Sequence, residues 1–190
     1  MQNQKKVYIV LTQTGTILSR ILKRVTGAEY NHASISLDNN LSLLYSFGRI
    51  FPRVAFIGGF VKESPYFGTF KRFRNTDAIV LGFCVDEEKY EALREYLEYM
   101  YEHRKEFHYN YSGLFLAMFR KHHQAENCFT CSEFVEYIVR RFDLLPLENF
   151  PKIVKPIDFL NSYGDYAIYR GKLKHYISYY SRRVKRTSPV

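Results

Sequence analysis

Hydrophobic and polar positions along this chain switch between two periods, and the switches outline its elements. Residues 6–12 are apolar and β-branched, which predicts a buried strand. Thr14-Gly15-Thr16 interrupts the run, and Ile17, Leu18, Ile21, Leu22 and Val25 then recur at helical spacing up to Gly27. In residues 30–37 the period becomes two. Ala33, Ile35 and Leu37 alternate with His32, Ser34 and Ser36, which predicts a half-buried strand. Asp38-Asn39-Asn40 is turn chemistry, and residues 41–47 predict the returning strand of a hairpin. Residues 48–75 hold Pro52, Gly58, Gly59, Pro65 and Gly68 and follow neither period, so a long functional loop or lid is expected there. Residues 78–85 predict another buried strand. Asp86 then caps a helix whose inward face is Tyr90, Leu93, Leu97, Met100, Tyr101 and Arg104. A further helix over 111–121, a polar loop over 122–127, a proline-punctuated connection over 144–155, a helical turn over 156–161 and one or two strands within 166–180 complete the outline. The class is α+β, with a central antiparallel sheet packed against helices.

With 190 residues the chain is long enough for one full core, and a single domain over 1–180 with a basic tail over 181–190 is expected. The content of 17 Tyr and 16 Phe with no Trp is unusual and bears on the choice of substrate below. Three cysteines do not make a disulfide framework. The first apolar run is too short for a signal peptide and none later is long enough to span a bilayer, so a cytoplasmic location is expected. The net charge of +9 is concentrated at one end: residues 166–190 carry seven Lys or Arg and no acid, leaving +2 for the rest. That tail suits an anionic membrane surface or a solvated terminus, and no motif for specific nucleic-acid binding accompanies it.

The chemistry gathers in residues 127–135. Thr130 and Glu133 have the spacing of a capping box, and Phe134, Val135, Ile138, Val139 and Phe142 continue at helical spacing. Cys131 is then the first residue of a capped helix and, three and seven positions before Phe134 and Ile138, faces inward. A thiol there meets the positive end of the helix dipole and unpaired amides, which favour a thiolate and can hold an oxyanion. Of the six histidines, His32 is set apart by its place at the start of a strand, on the polar face and between small residues. A third group must orient such a base. Ser46 shares a face with His32 only if the hairpin loop has an odd number of residues. Cys84, inside an apolar strand, is expected in the core.

The segments Asn31-His32-Ala33-Ser34-Ile35, Leu44-Tyr45-Ser46-Phe47-Gly48 and Cys131-Ser132-Glu133-Phe134-Val135, in that order, resemble those of the circularly permuted papain-like amidases. This NlpC-related superfamily includes lecithin:retinol acyltransferase-like enzymes. Tyr109-Asn110 resembles the Tyr-Asp that often precedes the cysteine helix in that family. The resemblance implies a permuted papain-like core, Cys131 as nucleophile and His32 as base. Ser46 falls near the family's polar third residue, often Glu or His. It also implies a cysteine hydrolase or acyltransferase acting on an amide or ester, with no metal or organic cofactor.

Two other chemistries share the cysteine stretch. Cys128-x-x-Cys131 has the spacing of a thiol redox pair, and His122, His123, Cys128 and Cys131 are zinc-ligand types. A non-catalytic lipid- or protein-binding module on the same fold is the opposing class. For an enzyme, the seven aromatics from Phe51 to Phe73, interspersed with basic residues and a single acid, Glu63, favour an acyl-bearing substrate over a plain peptide. Phe60 and Phe67 of that stretch, with Tyr45 and Tyr109, are the expected substrate contacts.

Overall fold

Seven successive buried residues at 7–13 explain the unbroken apolar run near the start of the chain: their strand lies mid-sheet with both faces covered. The computed structural model describes residues 4–14, 29–51, 57–113, 125–147 and 150–176. The helix expected at 17–25, nearly all of that expected at 111–121, His122, His123 and the tail from 177 onward lie outside them.

In chain order the elements are β1 (Gln4–Gln13), β2 (His32–Ser36), β3 (Leu44–Arg49), β4 (Gly58–Glu63), α1 (Gly68–Arg72), β5 (Asp77–Asp86), α2 (Glu87–Glu102), β6 (His108–Tyr109), β7 (Cys128–Phe129), α3 (Cys131–Arg141), α4 (Pro156–Tyr163) and β8 (Ala167–Lys172). All eight strands form one sheet in the order β7-β6-β4-β3-β2-β1-β5-β8. The sheet is mixed rather than wholly antiparallel, because β6 and β7 run parallel. The architecture is α+β.

Strand alternation sends successive side chains to opposite faces, and each face has its own apolar layer. Val7, Ile9, Leu11, Ala33, Ile35, Tyr45, Phe47, Phe60, Ile79 and Leu81 pack beneath α2, α3 and α4. Tyr8, Val10, Leu44, Ala78 and Val80 pack on the other face beneath Phe70 of α1, Leu41, Leu173 and Tyr176.

Three expectations need correction. Asn39-Asn40 do form a turn, the Leu41 N–H donating to the Asp38 carbonyl at 3.2 Å, but it lies inside a longer loop. The Asp38 carboxylate accepts the backbone N–H groups of Ser42 (2.8 Å) and Leu43 (3.1 Å), organising a seven-residue loop over 37–43. Residues 48–75 are not one long loop, since they contain β4 and α1. Gly58 and Gly59 sit inside β4, where a Cβ at Gly58 would come within 2.7 Å of the Tyr111 hydroxyl, so these glycines admit a close neighbour rather than a turn. Cys84 is exposed. It stands opposite Lys6 near the end of β5, past the stretch that the second apolar layer covers. Arg104, expected on the inward face of α2, also lies beyond that helix and is exposed.

Candidate active site

The odd loop length decides the geometry of the site. Ile35 pairs with Tyr45, and continued along both strands this register sets Ser34 across from Ser46 and His32 across from Gly48. On the next strand Leu44 faces Glu63 and Ser46 faces Val61. His32, Ser46 and Glu63 therefore occupy one face of three neighbouring strands. Gly48 offers no side chain between the two outer residues, and a Cβ there would lie 3.4 Å from both Glu63 Oε1 and Ser46 Oγ. Over that gap His32 Nε2 donates to Glu63 Oε2 at 2.8 Å, and Ser46 Oγ donates to the same oxygen at 2.6 Å.

The third residue on the histidine is thus Glu63. Ser46 stands one step behind it, bonded to the carboxylate rather than to the ring, which corrects its placement as the direct partner of His32. Glu63 had one signal in the sequence: it is the single acid among the basic residues from Arg49 to Arg74.

Cys131 lies beside the imidazole. The cap of α3 forms with both reciprocal bonds, Thr130 Oγ1 accepting from the Glu133 N–H (3.3 Å) and Glu133 Oε2 from the Thr130 N–H (2.7 Å). Asn110 Nδ2 donates to the same Glu133 oxygen at 3.2 Å, tying the residue after β6 to the helix start. Cys131 is 7% exposed, its Sγ lies 4.0 Å from the Asn31 carbonyl, and it is near enough to the His32 ring to favour the ring's charged form. With Nε2 engaged by Glu63, Nδ1 is left for the thiol.

The electrostatics follow from these contacts. Burial opposes protonation of His32, but the Glu63 carboxylate and the bonds to Cys131 and Glu63 outweigh it and push the ring up to about 10. Burial likewise works against the Glu63 carboxylate, and the His32 charge, with hydrogen bonds from His32 and Ser46, holds it below its ordinary value. The ring is an imidazolium at neutral pH, beside the Glu63 carboxylate and the Cys131 sulfur.

The expected substrate contacts separate. Tyr109 lies near enough to Cys131 to feel its charge. Burial foremost, then that charge, raises its phenol well above the ordinary value and keeps it neutral. Tyr45 and Phe60 are core residues instead, 3% and 2% exposed, because odd-numbered positions of β3 and even-numbered positions of β4 point beneath α3. Tyr45 also donates to Glu98 Oε1 of α2 at 2.5 Å. Phe67 is 69% exposed at the start of α1. The aromatic that does touch the site is Phe70, whose ring centroid is 6.3 Å from that of His32. Phe70 also lines a cavity of about 260 Å³ together with Tyr66, Phe73, Lys71, Arg74 and Lys174.

Cys84, Cys128 and Cys131 are free thiols. Among the described residues no group of three or more His, Cys, Asp or Glu side chains is placed to hold a metal ion, and no helix is long and apolar enough to cross a membrane. Comparison with known proteins leaves the geometry to stand alone: no protein-family model, curated protein or solved structure matches this chain.

Proposed function

We propose that the chain is a cysteine-dependent amide or ester hydrolase, or an acyltransferase, with the permuted papain-like arrangement that its sequence resembles. The observation that carries this reading is the His32 ring bonded to the Glu63 carboxylate at 2.8 Å and lying within the electrostatic reach of Cys131. A nucleophile, a base and a group orienting the base are the minimum set for acyl transfer through a covalent intermediate.

In this scheme His32 holds the proton that Cys131 gives up, and Glu63 stabilises the imidazolium and fixes the ring. The thiolate attacks the acyl carbon, and the carbonyl electron pair moves onto oxygen. When the tetrahedral adduct collapses, the bond to the leaving amine or alcohol breaks and His32 delivers its proton there, leaving a thioester on Cys131. His32, now neutral, takes a proton from the incoming water or alcohol, which attacks the thioester and releases the acid or new ester. The imidazolium returns as the thiolate leaves.

The Phe70 ring against His32 and the aromatic cavity rimmed by Lys71, Arg74 and Lys174 support a substrate with an apolar acyl group and an anionic head. The test is a panel of medium-chain acyl esters, acyl amides and short peptides turned over by wild type, Cys131→Ala and His32→Ala. Turnover of the acyl substrates should be lost in both variants. Full activity in Cys131→Ala would end the proposal, and turnover of peptides alone would remove its acyl preference.

A further inference from the structure

The cavity beside Phe70 has a base and a rim of different chemistry. Its most buried lining residues, Phe70, Leu173 and Thr76, are 4%, 2% and 2% exposed. The Thr76 hydroxyl donates to the Phe73 carbonyl at 2.6 Å, so its proton is already used and the base is in effect apolar. Lys71, Arg74 and Lys174 complete the lining and are exposed, and among the described residues no Asp or Glu lines the cavity. Cations gathered from two distant segments repel one another unless acids offset them. Here none does: among the described residues, the side chains of Lys71, Arg74 and Lys174 form no hydrogen bond, ion pair or cation–π contact. Asp77, next to Thr76 in the chain, bonds Lys172 at 2.6 Å, and Glu63 bonds His32 at 2.8 Å. A rim of unpaired cations over an apolar base is the complement of an amphiphilic anion.

Charge, shape and size narrow the class. A phosphate monoester carries about −1.5 to −2 at neutral pH on three terminal oxygens, one for each cation, whereas a diester or a carboxylate carries a single charge on two. Arg74 offers the planar fork that fits such a group, and the two lysines add compact charge. The volume of about 260 Å³ equals roughly nine waters at ~30 Å³ each, room for one ring or a short chain but not for two long ones.

Resting on the reading of this cavity as part of a substrate pocket, we propose that it binds a phosphate monoester. The apolar or aromatic group of that molecule lies against Phe70 and Leu173, and its phosphate meets Lys71, Arg74 and Lys174. Because the Phe70 ring centroid is also 6.3 Å from that of His32, a molecule bound this way lies next to the candidate base. The substrate of the proposed hydrolase is then an ester or amide that carries this phosphate.

Phenyl phosphate has the ring and the dianion but no acyl group to cleave, so its binding is independent of turnover. Calorimetric titration of the full chain in low salt at neutral pH compares it with phenyl sulfate, methyl phenyl phosphate and inorganic phosphate. Phenyl phosphate should bind about tenfold more tightly than inorganic phosphate, which has no ring to bury. It should also exceed phenyl sulfate and methyl phenyl phosphate, each with a single charge, by about two- to fivefold. Lys71→Gln, Arg74→Gln and Lys174→Gln should each weaken it by about two- to fivefold, the worth of an exposed ion pair, and the triple variant by at least about tenfold. The three side chains are exposed, so these variants should keep the fold, which circular dichroism checks.

No binding of phenyl phosphate overturns the assignment. So does binding that is unchanged in the triple variant, since the anion is then held elsewhere on this basic chain. Equal affinity for methyl phenyl phosphate overturns the monoester and makes a phosphodiester, such as a lipid head group, the ligand. None of these results touches the role of Cys131, which ester turnover tests separately. Tight, rim-dependent binding in a protein whose ester turnover does not depend on Cys131 supports the phosphate site and removes the hydrolase reading alone.

Discussion

At the scale of single residues, the site depends on one carboxylate. His32 and Glu63 hold each other in charged form, and the direction of each shift sets when the pair stabilises the fold. The folded His32 ring titrates near about 10, above its ordinary 6.5, so its contribution is complete below 6.5 and is lost as pH rises toward 10. Glu63 titrates below its ordinary 4.5, so its contribution is present above that value and is lost as pH falls through the folded one. The pair is therefore worth most between those ordinary values. Wild type should lose on the order of 1–3 kcal/mol of unfolding free energy from this pair on going from mildly acidic to strongly basic buffer, the usual worth of a charge-assisted bond. Glu63→Gln removes the main cause that raises His32, so its stability should fall much less over the same range. Urea unfolding of both proteins across that range checks it; parallel curves would mean that the pair is not ionised as described.

At the scale of elements, α3 presents the thiol and its cap holds the first turn in place. The Thr130 hydroxyl and the Glu133 carboxylate each close one end of the box, and Asn110 ties that carboxylate to the chain after β6. Thr130→Ala should cost about 1 kcal/mol, typical for loss of an N-cap side chain, and should lower turnover by loosening the turn that carries Cys131. Denaturant titration reads the first effect and kcat the second. Stability and kcat both equal to wild type would show that the rest of the helix positions the thiol without the box. The hairpin is the other decisive element. Its seven-residue loop brings Ser46 and Glu63 onto the His32 face, whereas a two-residue turn would have sent Ser46 to the side beneath α3.

At the scale of the whole molecule, the sheet divides the labour of its two faces. One carries the main core, in which Phe134 of α3 is fully buried against the rings of Phe47 (5.5 Å) and Phe60 (5.2 Å). The other carries His32, Ser46 and Glu63 beside Phe70. Phe134→Ala removes the ring that binds α3 to the sheet and should cost about 3–5 kcal/mol. Phe67→Ala, at a residue 69% exposed, should stay within about 0.5 kcal/mol of wild type. Calorimetry of the two should differ in midpoint by about 2–4 °C for each kcal/mol of that gap. Similar melting points would mean that the aromatic layer under α3 does not hold the fold together.

Much of this protein was already determined by local rules in its sequence. The apolar runs of β1 and β5, the inward stripe of α2 and the cap and phase of α3 depend on periods of two or 3.6 and on residues three or four apart. Those rules suffice to pick out Cys131 and His32. Only the tertiary structure decided that Glu63 completes the group, since His32 and Glu63 are 31 positions apart and meet across an intervening strand. Their meeting depends on the register of two strand pairs and the parity of one loop, and hydrophobic patterning does not encode backbone pairing. Long-range cover likewise decided the fate of side chains that look alike in sequence. Phe60 is buried where α3 lies over it, Phe67 is exposed, and Cys84 is open to solvent at the end of an apolar strand. Whether an aromatic or a thiol becomes core or surface depends on which element lies above it, and that element comes from elsewhere in the chain.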